Sequence, residues 1–544
     1  MDALIPRPVL QQRARACLLV LSAPPLFFLG FFLLAPALRL VLEGQSTFTP
    51  TTIAALWQDN YLRWRLLWSL LQAGATCLLV LVIGLPVAWV LARFQFAGRA
   101  LVLRLLMLPF IVPTLVAALG VLALWGPRGL GMAWLGMDLQ DTPWLLLYGN
   151  VFFNLCLVVR AGIDGLTQVS ASRLAAARTL GATPWRAFWR IEWPTARPWL
   201  ASSLCLVFLY CFSGFGLALV LGGQHYATLE VEIYTLVAYE LKLADASVLA
   251  VVTMLVTGLA ALLYTLHERL LAVPAKNDRV ALRRPVGTLQ WAMMATAMTA
   301  LLTCCAAPVL AITARVLLAG PPAWAVVLDE STLQALWNTL RFSIAAVALA
   351  TLLGLTHALA AQRSALLRTA AYLPFVVSPV MVAFGLLLLY PQWAATQTLL
   401  VSAYALLAYP FVAKSISAAL DSLPAHLLQV AATLGASPWR CFWRVILPFI
   451  LPALRRGMAF AAASALGEFA VSLFLSRPEW TTLTTLIYQR LSRPGAANLD
   501  EALVLACLLM VLALLAFVAL EYRPASRRLP YVPLSSAARD TARA

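Results

Sequence analysis

The side chains of this chain with most to offer chemically are aromatic and cationic, and they come twice. Thr179-Leu-Gly-Ala-Thr-Pro-Trp-Arg-Ala-Phe-Trp-Arg-Ile-Glu-Trp-Pro194 returns as Thr433-Leu-Gly-Ala-Ser-Pro-Trp-Arg-Cys-Phe-Trp-Arg-Val-Ile-Leu-Pro448, with 11 of 16 residues identical at an offset of 254. Trp185, Phe188 and Trp189 stand at i, i+3 and i+4, as do Trp439, Phe442 and Trp443, while Arg186/Arg190 and Arg440/Arg444 lie four apart on a neighbouring face. Rigid aromatics and arginine dominate protein-interface hot spots, so the chemistry on offer is recognition. The same amphipathic pattern also serves a helix lying among lipid headgroups. Repetition of the whole order, glycine, then (Ser/Thr)-Pro, then aromatics, favours docking to a protein, because lipid contact demands no fixed grammar.

A second candidate is an acid in apolar surroundings. Glu468 stands in Gly467-Glu468-Phe469-Ala470, and the equivalent position 254 residues earlier is Gly214. A charge at membrane depth is expensive unless it faces a cavity or a partner, which makes a place on a solute pathway the default hypothesis. The competing role is a carboxylate that caps a broken helix through backbone amides. Two further acids, Glu230 and Glu232, lie in Tyr226-Ala-Thr-Leu-Glu-Val-Glu-Ile-Tyr234, whose counterpart Trp480-Thr-Thr-Leu-Thr-Thr-Leu-Ile-Tyr488 keeps the tyrosine but has Thr484 and Leu486 instead. These segments suit an outer gate, a contact for a partner, or a helix packed over a bundle. Bond-making chemistry has no constellation: the four histidines are scattered, eight of the nine cysteines fall in apolar runs, and no metal-ligand spacing occurs.

The frame for these residues is set by solvent. At 62% hydrophobic and 11% charged residues over 544 positions, the chain reads as a polytopic membrane protein. A helix needs about 20 apolar residues to cross roughly 30 Å of hydrocarbon. Twelve such runs can be drawn, near 17–41, 66–92, 101–126, 143–162, 198–222, 245–266, 289–316, 339–361, 369–392, 396–415, 450–475 and 501–521. The first resembles a secretory signal, with Arg7 to Arg15 before it and Ala35-Pro36-Ala37 near its end, but it is too long and contains Pro24-Pro25, so an uncleaved anchor is expected. With a cytosolic N-terminus, the inside segments together with the inner ends of the spans hold 29 of the 39 Lys and Arg, which the positive-inside rule requires. Both termini and both repeated segments then face the cytosol. The net charge of +17 is thus a topology signal, and no basic run interleaved with aromatics outside the repeats points to nucleic acid.

Duplication extends beyond the loops. Leu108-Pro-Phe-Ile-Val-Pro113 is echoed by Leu373-Pro-Phe-Val-Val-Ser-Pro379, Gly84-Leu85 with Arg93 by Gly354-Leu355 with Arg363, and Thr228-Leu229 with Ile233-Tyr234 by Thr482-Leu483 with Ile487-Tyr488. The expected plan is two tandem six-span units of like orientation: a cytoplasmic N-terminus 1–16, a first unit 17–270, a cytoplasmic linker 271–288, a second unit 289–522 and a basic tail 523–544. Pro109, Pro113, Pro374 and Pro379 are expected to kink the third and ninth spans. Within each repeated loop an Ala- and Leu-rich helix should end at Gly181 or Gly435 in the left-handed conformation. Thr183-Pro184 and Ser437-Pro438 should start a second helix, hydroxyl as cap and proline as first residue. Pro194 and Pro448 should stop it before the next span.

These loops resemble the cytoplasmic "EAA" loop of ATP-binding-cassette importer permeases, and nearly the whole chain resembles the fused two-unit permeases of the ferric-iron and thiamine type. The resemblance implies an all-α fold of two six-helix (MetI-like, type I) units. It places the motif glycine on Gly181 and Gly435, the coupling helices on 183–191 and 437–445, and the closing proline on Pro194 and Pro448. The leading Glu-Ala-Ala is absent: Ala175-Ala176-Ala177 and Gln429-Val430-Ala431 stand there. Implied partners are two copies of a cytosolic ATPase, a periplasmic or extracellular solute-binding protein and the lipid bilayer. The chain needs no cofactor of its own, since ATP would be bound by the separate subunit: the three lysines, Lys242, Lys276 and Lys414, each follow Leu or Ala, and none completes G-x-x-x-x-G-K-[ST]. The implied mechanism is alternating access, with thiamine or ferric iron as solute. A six-plus-six secondary transporter would share the duplication, but has no use for matched docking loops.

Overall fold

A peptide group in hydrocarbon has no water to bond, so a chain this apolar must satisfy its backbone within each crossing segment, as a helix does. The computed structural model describes residues 20–45, 58–270, 280–362, 364–371, 373–394 and 396–521. The expected N-terminus 1–16, tail 523–544 and linker residues 271–279 lie outside the described residues. Among the described residues there is no strand, only an isolated bridge between Phe94 and Arg283. Among the described residues, twelve helices belong to the apolar spans: α1 (Val20–Gln45), α2 (Asn60–Arg93), α3 (Thr114–Trp125), α4 (Pro143–Thr167), α5 (Pro184–Phe212), α6 (Leu243–Leu270), α7 (Thr288–Leu318), α8 (Glu330–Ala361), α9 (Pro379–Leu389), α10 (Gln397–Asp421), α11 (Pro438–Leu466) and α12 (Ala496–Glu521). The fold is an all-α polytopic membrane protein.

Prolines shape these helices in two ways, and both differ from expectation. Pro109/Pro113 and Pro374/Pro379 break the third and ninth spans outright instead of kinking them. Leu108–Ile111 is a single turn, and Val112 is extended before α3. In the second unit the pair Leu366–Phe375 and Pro379–Leu389 is bent by 93°. The residue before proline is pushed out of the α region and proline then serves as a first helical residue, so Ser378 is extended (ψ 156°) and its hydroxyl caps α9 through Met381 N.

The second difference is that Pro194 and Pro448 do not stop the loop helices. Each loop helix runs on into the next span, giving continuous rods α5 and α11 of 29 residues each. A five-residue π-turn, Phe188–Glu192 or Phe442–Ile446, precedes Trp193-Pro194 or Leu447-Pro448. Proline lacks the N–H that would reach back four residues and its ring crowds that carbonyl; widening the turn relieves both. The device recurs at Gly30–Leu34 before Ala35-Pro36 and at Leu302–Ala306 before Ala307-Pro308. At their far ends the rods break at Ser213–Phe215 and Gly467–Phe469 before the short helices Gly216–Leu221 and Ala470–Leu475, so runs 198–222 and 450–475 are each two elements.

Within each unit α2 packs on α4 and α8 on α10, while α5 packs on α6 and α11 on α12. The first helix of each unit lies on the other unit as well as on its own. α1 packs against α9 as well as α6, and α7 against α3, α2 and α12. Glycines permit these crossings: a Cβ on Gly120 of α3 would lie 2.8 Å from the Pro308 carbonyl oxygen of α7, and one on Gly385 of α9 would lie 3.0 Å from the Pro36 carbonyl oxygen of α1.

Candidate functional site

The repeated loops have the same geometry in both units. Helix Ala171–Thr179, capped by Ser170, ends at Gly181 with φ 77°, and helix Ala425–Thr433 ends at Gly435 with φ 73°, the left-handed region that glycine enters without strain. Thr183 Oγ1 then accepts from Arg186 N at 3.3 Å and Ser437 Oγ from Arg440 N at 3.4 Å, with Pro184 and Pro438 as first helical residues. Trp185 and Trp439 are 70% and 69% exposed. They stand at 5.5 and 5.6 Å, edge to face, from Trp189 and Trp443. Phe188 and Phe442 are half-buried beneath them, and Arg186, Arg190, Arg440 and Arg444 are exposed. Leu180 and Leu434 are the most exposed large hydrophobic side chains of each loop. The sequence reading missed them, although they are identical in the two repeats.

Where each rod ends, a cavity opens. Glu468 and Gly214, one on each break, line the same space of about 280 Å³ together with Phe110, Tyr210, Phe411 and Phe460. Phe110, Phe411 and Phe460 form a ring of aromatics with centroids 6.1 to 6.4 Å apart. Asn150, Asn154, Ser213 and Ser464 add polar atoms to the lining. Glu468 also accepts from Val471 N at 3.1 Å, so the cap role and the cavity position coexist in one side chain.

Glu230, Glu232, Tyr234 and Tyr488 lie around this cavity without lining it, whereas Phe215 and Phe469 form part of its wall. Phe215 and Phe469, equivalent residues of the two units, stack on each other at 5.8 Å. Tyr234 packs edge-on to Phe215 at 5.4 Å and Tyr488 lies 5.3 Å from Phe469, so the two tyrosines brace the pair. The helices that carry them, Leu229–Ala238 and Leu483–Leu491, are tied down identically: Ser69 Oγ of α2 accepts from Leu229 N and Thr339 Oγ1 of α8 from Leu483 N, both at 2.8 Å. Glu232 is committed to Tyr61 at 2.8 Å and to Arg65 at 3.5 Å. Glu230 accepts from Ser378 Oγ of the opposite unit at 2.8 Å. One more buried carboxylate escaped the sequence reading. Glu192, the last residue of the first π-turn, accepts from Arg93 Nη2 and Trp89 Nε1 of α2, both at 2.8 Å.

Comparison with known proteins agrees with this architecture. The family described as "Binding-protein-dependent transport system inner membrane component" matches twice, over residues 80–273 and 298–529. The chain is 28% identical over 509 residues to the thiamine transport system permease protein ThiP of Escherichia coli, covering 86% of this chain and 90% of that protein. It is 30% identical over 501 residues to the ThiP of Brucella abortus, covering 86% and 89%. A solved bacterial alginate ABC transporter, in complex with alginate pentasaccharide-bound periplasmic protein, is similar at 17% identity and a TM-score of 0.39, over 47% of this chain and 94% of that one. With both of its units matched by the family, this chain belongs to the inner-membrane components of binding-protein-dependent transport systems and is the permease subunit of an ATP-binding-cassette importer.

Proposed function

We propose that this permease carries thiamine inward, with the repeated loops on the cytosolic side as docking surfaces for two copies of an ATPase, and with one copy of this chain supplying both halves of the pathway. The observation that carries the reading is continuity. Each exposed Trp-Arg-x-Phe-Trp surface begins a rod of 29 residues whose far end borders the central cavity. At 1.5 Å per residue the rod spans roughly 43 Å, so the docking loop and the cavity lie at opposite ends of one continuous helix. Alternating access follows when ATP-driven closure of the ATPase pair moves both rods together, each ligand biasing the switch by its differential affinity for the two states. The chain makes and breaks no bonds of its own.

Thiamine is favoured by the relatives' solute and by the cavity's chemistry. An aromatic ring with one carboxylate suits an organic cation, through cation–π attraction and charge pairing. The lining offers bare ferric iron one carboxylate, Glu468, and one phenol, Tyr210, too few anionic oxygen donors to replace its hydration shell. Gly214, on the equivalent break of the first unit, lines the same cavity without a side chain. Phe215 and Phe469, braced by Tyr234 and Tyr488, then act as the outer closure.

The test uses the complex reconstituted with its ATPase and binding protein. Changing Trp185, Trp189, Trp439 and Trp443 together to Ala is expected to abolish co-purification of the ATPase. Glu468→Gln is expected to keep the ATPase bound while thiamine uptake falls at least tenfold. Full ATPase binding by the tryptophan variant would contradict the docking surface, and unchanged uptake by Glu468→Gln would remove Glu468 from the pathway.

A further inference from the structure

The two coupling helices are matched in sequence and exposure, yet they are anchored differently. In the first unit, Glu192 at the end of the π-turn takes Arg93 Nη2 at 2.8 Å and Nε at 3.1 Å on one oxygen, and Trp89 Nε1 at 2.8 Å on the other. Arg93 is 4% exposed and Glu192 5%. Backbone bonds extend the clamp to the segment joining the units: Arg283 N donates to Arg93 O at 3.0 Å, Gln95 N donates to Arg283 O at 2.9 Å, and the Arg283 guanidinium lies 5.3 Å over the Phe94 ring. A few residues later α7 begins and packs back against α2. In the second unit the residue equivalent to Glu192 is Ile446, and the residue equivalent to Trp89, at the offset of 270 that relates Arg93 to Arg363, is Leu359.

A desolvated ion pair resists separation, because pulling it apart strands two charges in a low-dielectric interior; an apolar contact can slide, since it has no direction to lose. We infer that Glu192 is a positioning residue for coupling: it binds the first coupling helix to α2 and α7 through a buried ion pair, so that one ATPase moves these helices as a single body, while the other moves α11 against its neighbours with an isoleucine at the equivalent position. Transmission through the chain is then unequal in spite of its symmetric loops. The inference rests on the docking reading above and deepens it.

The experiment measures thiamine imported per ATP hydrolysed in the reconstituted complex, with ATPase co-purification recorded separately. Glu192→Gln is expected to keep the ATPase bound and lower that ratio at least fivefold, whereas Ile446→Ala stays within twofold of the unaltered protein. In Arg93→Cys/Glu192→Cys the ratio should be low and should recover on joining the two thiols with a short bismaleimide, the single-cysteine variants serving as controls. An unchanged ratio in Glu192→Gln, or a cross-link that fails to restore the paired variant, overturns the inference. If Glu192→Gln does not assemble, the cross-linked pair decides. Failure of the docking reading shows separately, as ATPase that stays bound when the four loop tryptophans are removed.

Discussion

Two glutamates two residues apart show how far a single residue can be read. The sequence presents Glu230 and Glu232 as a like pair; their partners lie in distant segments, so only the fold separates them. Glu232 is paired with Arg65, whereas Glu230 is 0% exposed, has one oxygen on Ser378 and the other without a hydrogen-bond partner. Its helix, Leu229–Ala238, lies outside the membrane-spanning helices. Burial pushes the Glu230 carboxyl from its ordinary 4.5 up to about 8, against the opposing pull of the Ser378 hydroxyl. The folded protein therefore favours the protonated acid. Below about 4.5 folded and unfolded chains are both protonated and nothing is lost; as pH rises from there to about 8 the unfolded chain ionises first, and stability declines. Thermal unfolding of the purified protein should accordingly fall in temperature between pH 5 and 8, and Glu230→Gln should flatten that slope. A slope unaltered by the substitution would assign it to other groups. Ser378 was visible in the sequence as the extra residue of the second Pro-Phe motif, but nothing there announced its bond to the opposite unit.

At the scale of elements, composition and apolar run length located the membrane-crossing helices, and the Gly, (Ser/Thr)-Pro punctuation gave the loop helices their caps. Breaks and joins were harder, because a proline that ends a helix and one that sits beyond a widened turn look alike in sequence. Pro109 and Pro374 lie where the chain breaks, while Pro194 and Pro448 lie inside continuous rods. The distinction depends on whether the preceding turn can widen, which is a matter of packing. Replacing Pro194 by Ala removes a cost of up to about 3 kcal/mol from helix interior and lets the π-turn close. One residue fewer in the turn rotates everything before it by roughly 100°, carrying Trp185 off its face. Pro194→Ala and Pro448→Ala together should leave helical content by circular dichroism unchanged and reduce ATPase binding at least fivefold; binding at the original level would show that the widened turns do not set the face.

For the whole molecule, internal repetition revealed two units but not their interleaving. α1 belongs by sequence to the first unit and packs on α9, and α7 belongs to the second and packs on α3. Echoed motifs report ancestry within a unit; they say nothing about which unit a flanking helix settles on. At Gly120/Pro308 a Cβ would meet the facing carbonyl oxygen at 2.8 Å and at Gly385/Pro36 at 3.0 Å, so the units hold each other through close crossings of α1 and α7. Co-expressed pieces 1–276 and 277–544 should therefore assemble and co-purify in near-equal amounts without a covalent link. Independent purification of the two pieces would mean that the embrace is too weak to hold without the linker.

The stack of Phe215 on Phe469 joins like to like at the point where the rods stop. Among the described ring contacts each meets one aromatic of the opposite unit, the other, so in the outer closure proposed above the lock has no keeper fixed to a wall: both leaves swing. Shutting it takes agreement from both sides, whereas release takes dissent from one, and a motor that lags behind its twin leaves the door ajar.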